Sequence, residues 1–124
     1  MSEPIVLVAD DDDDILLLVT TRLRRDGFDV ISARNGEEAL ELARERRPAI
    51  AVLDIGMPGL DGLEVLERIR ADDSLKGTRV LLLTAKAQES DVRRGYDSGA
   101  DAYVRKPFSP ADLSARVREL LDGN

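Results

Sequence analysis

The chain alternates short apolar runs with longer segments in which apolar residues recur every three to four positions. Apolar runs of four to five residues are typical of buried parallel strands, and the longer segments predict amphipathic helices. Strands are predicted at residues 5–9, 29–33, 50–54, 80–84 and 102–104, each followed by a helix. Five such units predict one α/β domain, a doubly wound parallel sheet with helices on both faces.

The predicted helices differ in how strongly they are marked. The first spans about residues 12–26, with a buried stripe formed by Ile15, Leu18, Val19 and Leu23. The fourth, at about 86–98, is thinly apolar, and we expect it to be the least stable. The last begins with Ser109 as N-cap and Pro110 in the first helical position.

Polar residues follow four of the strands directly. They are Asp10 and Asp11, then Asp54, then Thr84, and finally Lys106. Taken singly, Asp54 could be a turn residue, Thr84 a helix N-cap and Lys106 a solvated lysine. Because ligands of open α/β sheets bind at the carboxyl ends of the strands, the four together predict one site at that edge.

The aspartates at the end of the first strand suggest a metal. Clustered carboxylates repel one another unless a cation lies between them. Oxygen ligands without histidine or cysteine suit Mg²⁺, which takes one or two carboxylates and keeps several waters. Asp13 and Asp14 are better explained as first-turn acids that favour the helix dipole.

Composition removes several classes of function. The 124 residues contain no cysteine and no histidine, which excludes disulfides, thiolate metal sites and an internal phosphohistidine. A net charge of −7 argues against nonspecific nucleic-acid binding. No apolar run is long enough to span a bilayer and no basic leader is visible, so a cytoplasmic protein is expected.

With these residues in place, the sequence resembles the receiver domain of two-component response regulators over nearly its whole length. The match is carried by Val8-Ala9-Asp10-Asp11, Leu53-Asp54, Met57-Pro58, Asp61-Gly62, Thr84-Ala85, Gly99-Ala100-Asp101-Ala102-Tyr103 and Lys106-Pro107-Phe108. The resemblance implies a flavodoxin-like (βα)5 fold with strand order 2-1-3-4-5, and a single receiver domain over residues 1–124.

The resemblance also implies the chemistry of the site. Asp54 would accept a phosphoryl group from a histidine kinase. Asp11, Asp54 and the Gly56 carbonyl would ligate Mg²⁺, for which Mn²⁺ would substitute, and Asp10 would act mainly through bound water. The protein would catalyse only its own phosphorylation and dephosphorylation, as a signalling switch and not as an enzyme.

The remaining implied roles concern the phosphoryl group and the switch. Thr84 and the Ala85 backbone N–H would bind phosphoryl oxygens, and Lys106 would pair with their charge. Tyr103, the aromatic residue of the fifth strand, would fill space that Thr84 vacates. The Lys106-Pro107 peptide bond is expected to be cis.

The implied partners are a sensor histidine kinase or phosphotransfer protein and a downstream output domain or protein. The output would be controlled through the surface of the fourth helix, fifth strand and fifth helix. Asp101 and Arg116 fit the ion pairs through which some receivers dimerise, whereas Val92 and Ala102 depart from that set. A monomer or a weak phosphorylation-dependent dimer is therefore expected.

Three alternatives stay open at this point. A haloacid-dehalogenase-type phosphatase would need a second aspartate two residues after its nucleophile, where this chain has Gly56. A flavodoxin-type cofactor binder would need a hydroxyl- and glycine-rich first loop in place of Asp10 to Asp14. The third alternative is an interaction module that kept the fold and works without phosphorylation.

Overall fold

The structure is a computed structural model that describes residues 4–85, 96 and 98–123. Its elements are β1 (Ile5–Ala9), α1 (Asp13–Arg25), β2 (Asp29–Ala33), α2 (Gly36–Arg46), β3 (Ile50–Asp54), α3 (Gly62–Ala71), a 3-10 helix (Asp73–Leu75), β4 (Arg79–Thr84), β5 (Ala102–Arg105) and the C-terminal helix (Pro110–Asp122). The helix predicted at 86–98 lies outside the described residues, except for positions 96 and 98. Within the described part of the chain, no helix has the length and apolarity to cross a membrane.

The five strands form one parallel sheet in the order β2-β1-β3-β4-β5. Parallel neighbours require crossover connections, and helices provide them in α/β proteins. The predicted fold class and strand order are therefore confirmed. The carboxyl ends of β1, β3 and β4 lie side by side at the centre of one edge.

Successive residues along each strand point to opposite faces of the sheet, so the core has two halves. Ala51 and Leu53 of β3 belong to the cluster beneath α2 and α3. Ile50 and Val52 belong to the cluster beneath α1 and the C-terminal helix. All five residues of β3 are buried, because this strand is covered on both faces.

Two helices, α1 and the C-terminal helix, begin at the sheet edge that carries the polar residues, and their N-caps fix the chain there. The side chain of Asp12 caps α1 by accepting from the N–H groups of Asp14 and Ile15. Ser109 caps the C-terminal helix and Pro110 follows it, as predicted. The Lys106-Pro107 bond is cis, which confirms the expectation for that peptide.

The predicted buried stripe of α1 was wrong in one residue. Leu18 is 58% exposed, and Leu16 is buried in its place together with Val19 and Leu23. Residues 15–19 are all apolar, so the sequence does not determine which of them face the sheet. Leu18 instead lines an apolar pocket of about 310 Å³ together with Phe108.

Candidate functional site

Asp10 and Asp11 follow β1 but occupy different environments. Asp10 is fully buried, and its Oδ1 accepts a hydrogen bond of 2.9 Å from the Asp12 N–H. Among the described residues its Oδ2 has no hydrogen bond of good geometry, although Lys106 Nζ lies 3.1 Å away as an ion pair. Asp11 is exposed. One carboxylate is thus held rigidly inside the site while its neighbour faces solvent.

Asp54 ends β3 beside Leu83 of β4 and is almost completely buried. Burial, and next the charge of Asp10, raise the pKa of Asp54 to about 6, although Lys106 and the Gly56 backbone N–H act in the opposite direction. The loop after β3 thus lies close enough to Asp54 for the Gly56 backbone to influence its pKa.

Lys106 connects the two buried carboxylates. Its Nζ lies 3.2 Å from Asp54 Oδ1 and 3.1 Å from Asp10 Oδ2. Burial disfavours the charged ammonium, but the charge of Asp54 and the close contact with the Asp10 carboxylate outweigh it and raise the pKa of Lys106. The backbone N–H of Lys106 donates to the Thr84 carbonyl at 2.7 Å, which ties the end of β5 to the end of β4.

Thr84 is buried at the end of β4, and its hydroxyl donates to the carbonyl of Ala85 at 3.1 Å. Leu82 pairs with Tyr103 in the parallel ladder. Thr84 is two residues beyond Leu82 and therefore shares a sheet face with Tyr103. Tyr103 is half-buried, and its ring lies edge-on to that of Tyr96 with centroids 4.5 Å apart.

The carboxylates fit a divalent cation. One oxygen from each of Asp10, Asp11 and Asp54 lies within 4.8 Å of the others. Octahedral Mg²⁺ with bonds of about 2.1 Å places its ligand oxygens roughly 3–4 Å apart, so small adjustments suffice. When all groups are ionised, one ammonium does not balance three carboxylates, and a divalent ion would supply the missing charge.

Sequence reasoning missed one cluster of contacts that holds the start of β5. Arg70 of α3 donates to the carbonyls of Gly99 and Thr78 and to Asp101 Oδ2, which also accepts from the Val80 N–H. From the sequence, we expected Asp101 to fit the ion pairs through which some receivers dimerise. Within the chain it is the partner of Arg70, a contact between distant elements that no local pattern marks.

The response regulator receiver domain family matches residues 6–118, and the chain belongs to that family. Receiver domains are the signalling modules of response regulators in two-component systems.

Known relatives agree with this assignment. The DNA-binding response regulator MtrA of Mycolicibacterium smegmatis is 44% identical over 96% of the chain and 51% of its own length. The Bacillus subtilis alkaline phosphatase synthesis transcriptional regulatory protein PhoP is 44% identical over 94% and 48%. The chain thus spans about half the length of these curated relatives. The chemotaxis response regulator CheY4 of Vibrio cholerae superposes with a TM-score of 0.90 at 30% identity, over 97% of this chain and all of that one.

Proposed function

We propose that this receiver domain accepts a phosphoryl group on Asp54 in a Mg²⁺-dependent reaction. The observation that supports this most directly is the position of Lys106 Nζ, within 3.2 Å of both Asp54 and Asp10. An ammonium group there can pair with a phosphoryl group on Asp54 without moving to another part of the molecule. Thr84 at the end of the neighbouring strand is the proposed donor to a phosphoryl oxygen.

Phosphoryl transfer requires an in-line nucleophile and positive charge near the equatorial oxygens. The Asp54 carboxylate attacks the phosphorus of a phosphohistidine. The P–N bond breaks as the new P–O bond forms, and the imidazole leaves as a neutral ring when its other nitrogen carries a proton. Because the chain contains no histidine, the donor is a second molecule, a sensor histidine kinase or a phosphotransfer protein.

Asp11, Asp54 and the Gly56 carbonyl are the proposed Mg²⁺ ligands, with Asp10 acting mainly through bound water, and Mn²⁺ should substitute. The ion would neutralise charge on the transferred group and orient it toward the nucleophile. The chain's own contribution is to hold the nucleophile in place. The Lys106 ammonium donates to the Asp54 carboxylate and restrains it before the donor arrives.

The proposed switch begins at Thr84. In the unphosphorylated protein its hydroxyl donates to the Ala85 carbonyl. On phosphorylation the Thr84 hydroxyl and the Ala85 N–H would both turn to phosphoryl oxygens. Movement of Thr84 toward a phosphoryl group would open space on the sheet face that it shares with Tyr103. The output surface would then be the fourth helix predicted at 86–98, β5 and the C-terminal helix.

Residues 1–124 are proposed as one receiver domain that signals to an output domain or protein in the cytoplasm. The relatives named as DNA-binding regulators are about twice as long, so DNA contact would come from an output region and not from this acidic domain. The domain itself is proposed to be a monomer or a weak dimer that forms on phosphorylation.

Acetyl phosphate and Mg²⁺ test the acceptor directly. Mass spectrometry should detect the gain of one phosphoryl group in the wild-type protein and none in Asp54→Asn. Repeated turnover of a phosphomonoester would favour a phosphatase instead. No gain at saturating donor would favour an interaction module that works without phosphorylation.

A second measurement tests the switch. The chain has two tyrosines and no tryptophan, so its near-ultraviolet circular dichroism reports chiefly on Tyr96 and Tyr103. Phosphorylation should change this spectrum in the wild type. Thr84→Ala should still gain the phosphoryl group but give a much smaller spectral change, whereas an equal change in both proteins would rule out Thr84 as the link.

A further inference from the structure

The loop of residues 55–61 joins β3 to α3 and carries Gly56, whose backbone touches Asp54. Its base is held by backbone bonds: the Ile55 N–H donates to the Leu83 carbonyl at 3.0 Å, and the Gly62 N–H donates to the Ile55 carbonyl at 3.2 Å. The side chains of Ile55 and Met57 are buried in the core. The next two residues, 58 and 59, are exposed.

The outer part of this loop is attached to α2 by a carboxylate. The Leu60 N–H donates to Glu37 Oε1 at 3.1 Å, between groups that are 23 positions apart. Gly59 has a φ of 74°, and a Cβ at that position would lie 2.6 Å from Glu37 Oε1. The carboxylate therefore rests against the backbone of two consecutive loop residues.

The first turn of α2 also packs against the loop through its backbone. A Cβ on Gly36 would collide with the carbonyl oxygen of Leu60, so the two backbones approach as closely as a glycine permits. Asn35 caps α2 immediately before this contact. The start of α2 is thus a rigid support, and Glu37 is the side chain that extends from it to the loop.

We propose that Glu37 is a positioning residue for the metal site. By holding Leu60 and Gly59 it sets the path of the loop, and with it the orientation of the Gly56 carbonyl toward the three carboxylates. This inference rests on the proposed function, in which that carbonyl ligates Mg²⁺. Hydrogen bonds to a charged acceptor are about twice as strong as neutral ones. The single bond from the Leu60 N–H to the Glu37 carboxylate is therefore suited to hold the loop in place.

A purely structural role for Glu37 predicts a different result. An acid in the first turn of a helix favours the helix dipole, and its removal would lower stability without changing metal affinity. Glu41 lies one turn further along α2 and is exposed, so Glu41→Ala serves as the matched control. Glu37→Gln keeps an oxygen that can accept from the Leu60 N–H while removing the charge.

The experiment compares these variants by calorimetric Mg²⁺ titration, with urea unfolding in EDTA as a measure of the fold. Loss of a residue that supports metal ligands typically costs about tenfold or more in affinity. We expect Glu37→Ala to raise the Mg²⁺ dissociation constant by about that factor, Glu37→Gln by less, and Glu41→Ala not at all. Equal dissociation constants in Glu37→Ala and Glu41→Ala would overturn the proposal, whatever their stabilities.

A metal-free readout and an activity readout complete the test. In EDTA the Leu60 amide should exchange its hydrogen faster in Glu37→Ala than in Glu41→Ala, and equal rates would contradict the proposed contact. At saturating Mg²⁺ Glu37→Ala should still take up a full phosphoryl group from acetyl phosphate. A wild-type protein that binds Mg²⁺ but takes up no phosphoryl group would refute the proposed function, whereas normal phosphorylation with unchanged metal affinity in Glu37→Ala would refute only the role of Glu37.

Discussion

Lys106 Nζ lies 3.2 Å from Asp54 Oδ1, although 52 positions separate the two residues in the chain. The contact exists because β5 and β3 flank β4 in a parallel sheet and end at the same edge. It brings a cation to a buried carboxylate that already faces a second one, Asp10. Both the stability of the domain and its proposed chemistry depend on this arrangement.

Removal of the lysine charge should destabilise the fold. Lys106→Met leaves Asp10 and Asp54 buried without their cation, and we expect the free energy of unfolding at pH 7 to fall by about 3 kcal/mol. Urea denaturation in EDTA measures this. The loss should shrink as the pH is lowered towards 6, because without Lys106 the Asp54 carboxyl takes up its proton at a higher pH than in the wild type, and a protonated carboxyl no longer needs a cation.

Lys76 provides the control for that experiment. It pairs with Asp73 at 3.6 Å in an exposed setting, so Lys76→Met should change the unfolding free energy by less than about 0.5 kcal/mol. If both lysine variants cost the same, the buried pair does not stabilise the site as described.

Asp54 should make the protein less stable near neutral pH. Its pKa of about 6 exceeds that of an unfolded aspartate, so the folded state binds the proton more tightly. The protonated form of Asp54 stabilises the folded state; this stabilisation is complete below about pH 4 and is lost as the pH rises through 6. Asp54→Asn should therefore be more stable than the wild type by about 1–2 kcal/mol at pH 7, after allowance for solvent screening, and nearly equal to it at about pH 4.

Denaturation in EDTA across this pH range gives the measurement, and Asp26 gives a control of opposite sign. The hydrogen bond from Ser114, and next that from Arg22, lower the pKa of Asp26. Its stabilisation is present above the pKa of an unfolded aspartate and is lost as the pH falls. Asp26→Asn should thus be less stable than the wild type at pH 7, and a gain for both variants would contradict these assignments.

Mg²⁺ should stabilise the wild-type protein through Asp11. Ligand at 100 times its dissociation constant stabilises a folded protein by about 2.7 kcal/mol. Asp11→Asn should lose most of that gain at the same Mg²⁺ concentration, while its stability in EDTA stays near the wild-type value because the side chain is exposed. Thermal unfolding with and without Mg²⁺ measures both quantities.

Asp14 is the matched control for Asp11, since it is an exposed aspartate three positions further along, in the first turn of α1. Asp14→Asn should keep the full stabilisation by Mg²⁺. A similar loss in both variants would mean that Mg²⁺ binding depends on the total negative charge of the segment and not on Asp11 as a defined ligand.

Gly62 should tolerate no side chain. A Cβ there would lie 2.5 Å from the carbonyl oxygen of Asp54, so Gly62→Ala must displace either α3 or the strand that carries the acceptor. We expect a loss of about 1–3 kcal/mol in unfolding free energy and slower phosphorylation by acetyl phosphate. A Cβ on Gly77 meets nothing within 4 Å in the described part of the chain, so Gly77→Ala should change neither quantity. Unchanged phosphorylation in Gly62→Ala would show that Asp54 does not depend on this close contact.

The sequence by itself determined the order of strands and helices and the polar residues that follow each strand. These are local properties, since strand and helix periodicity and the residue after an apolar run are read from neighbouring positions. For that reason the strands of Asp54 and Thr84 were predicted to end at those residues, and the structure agrees. The resemblance to receiver domains added the strand order and the roles of the site residues.

Only the tertiary structure decided which side chains meet across elements. It buried Asp10 while leaving Asp11 in solvent, and it exposed Leu18 within an unbroken apolar run. It also joined Arg70 to Asp101 and Glu37 to the Leu60 backbone. Such contacts depend on how separate helices and loops pack over the sheet, and because that packing is set by the whole fold, no short stretch of sequence contains it.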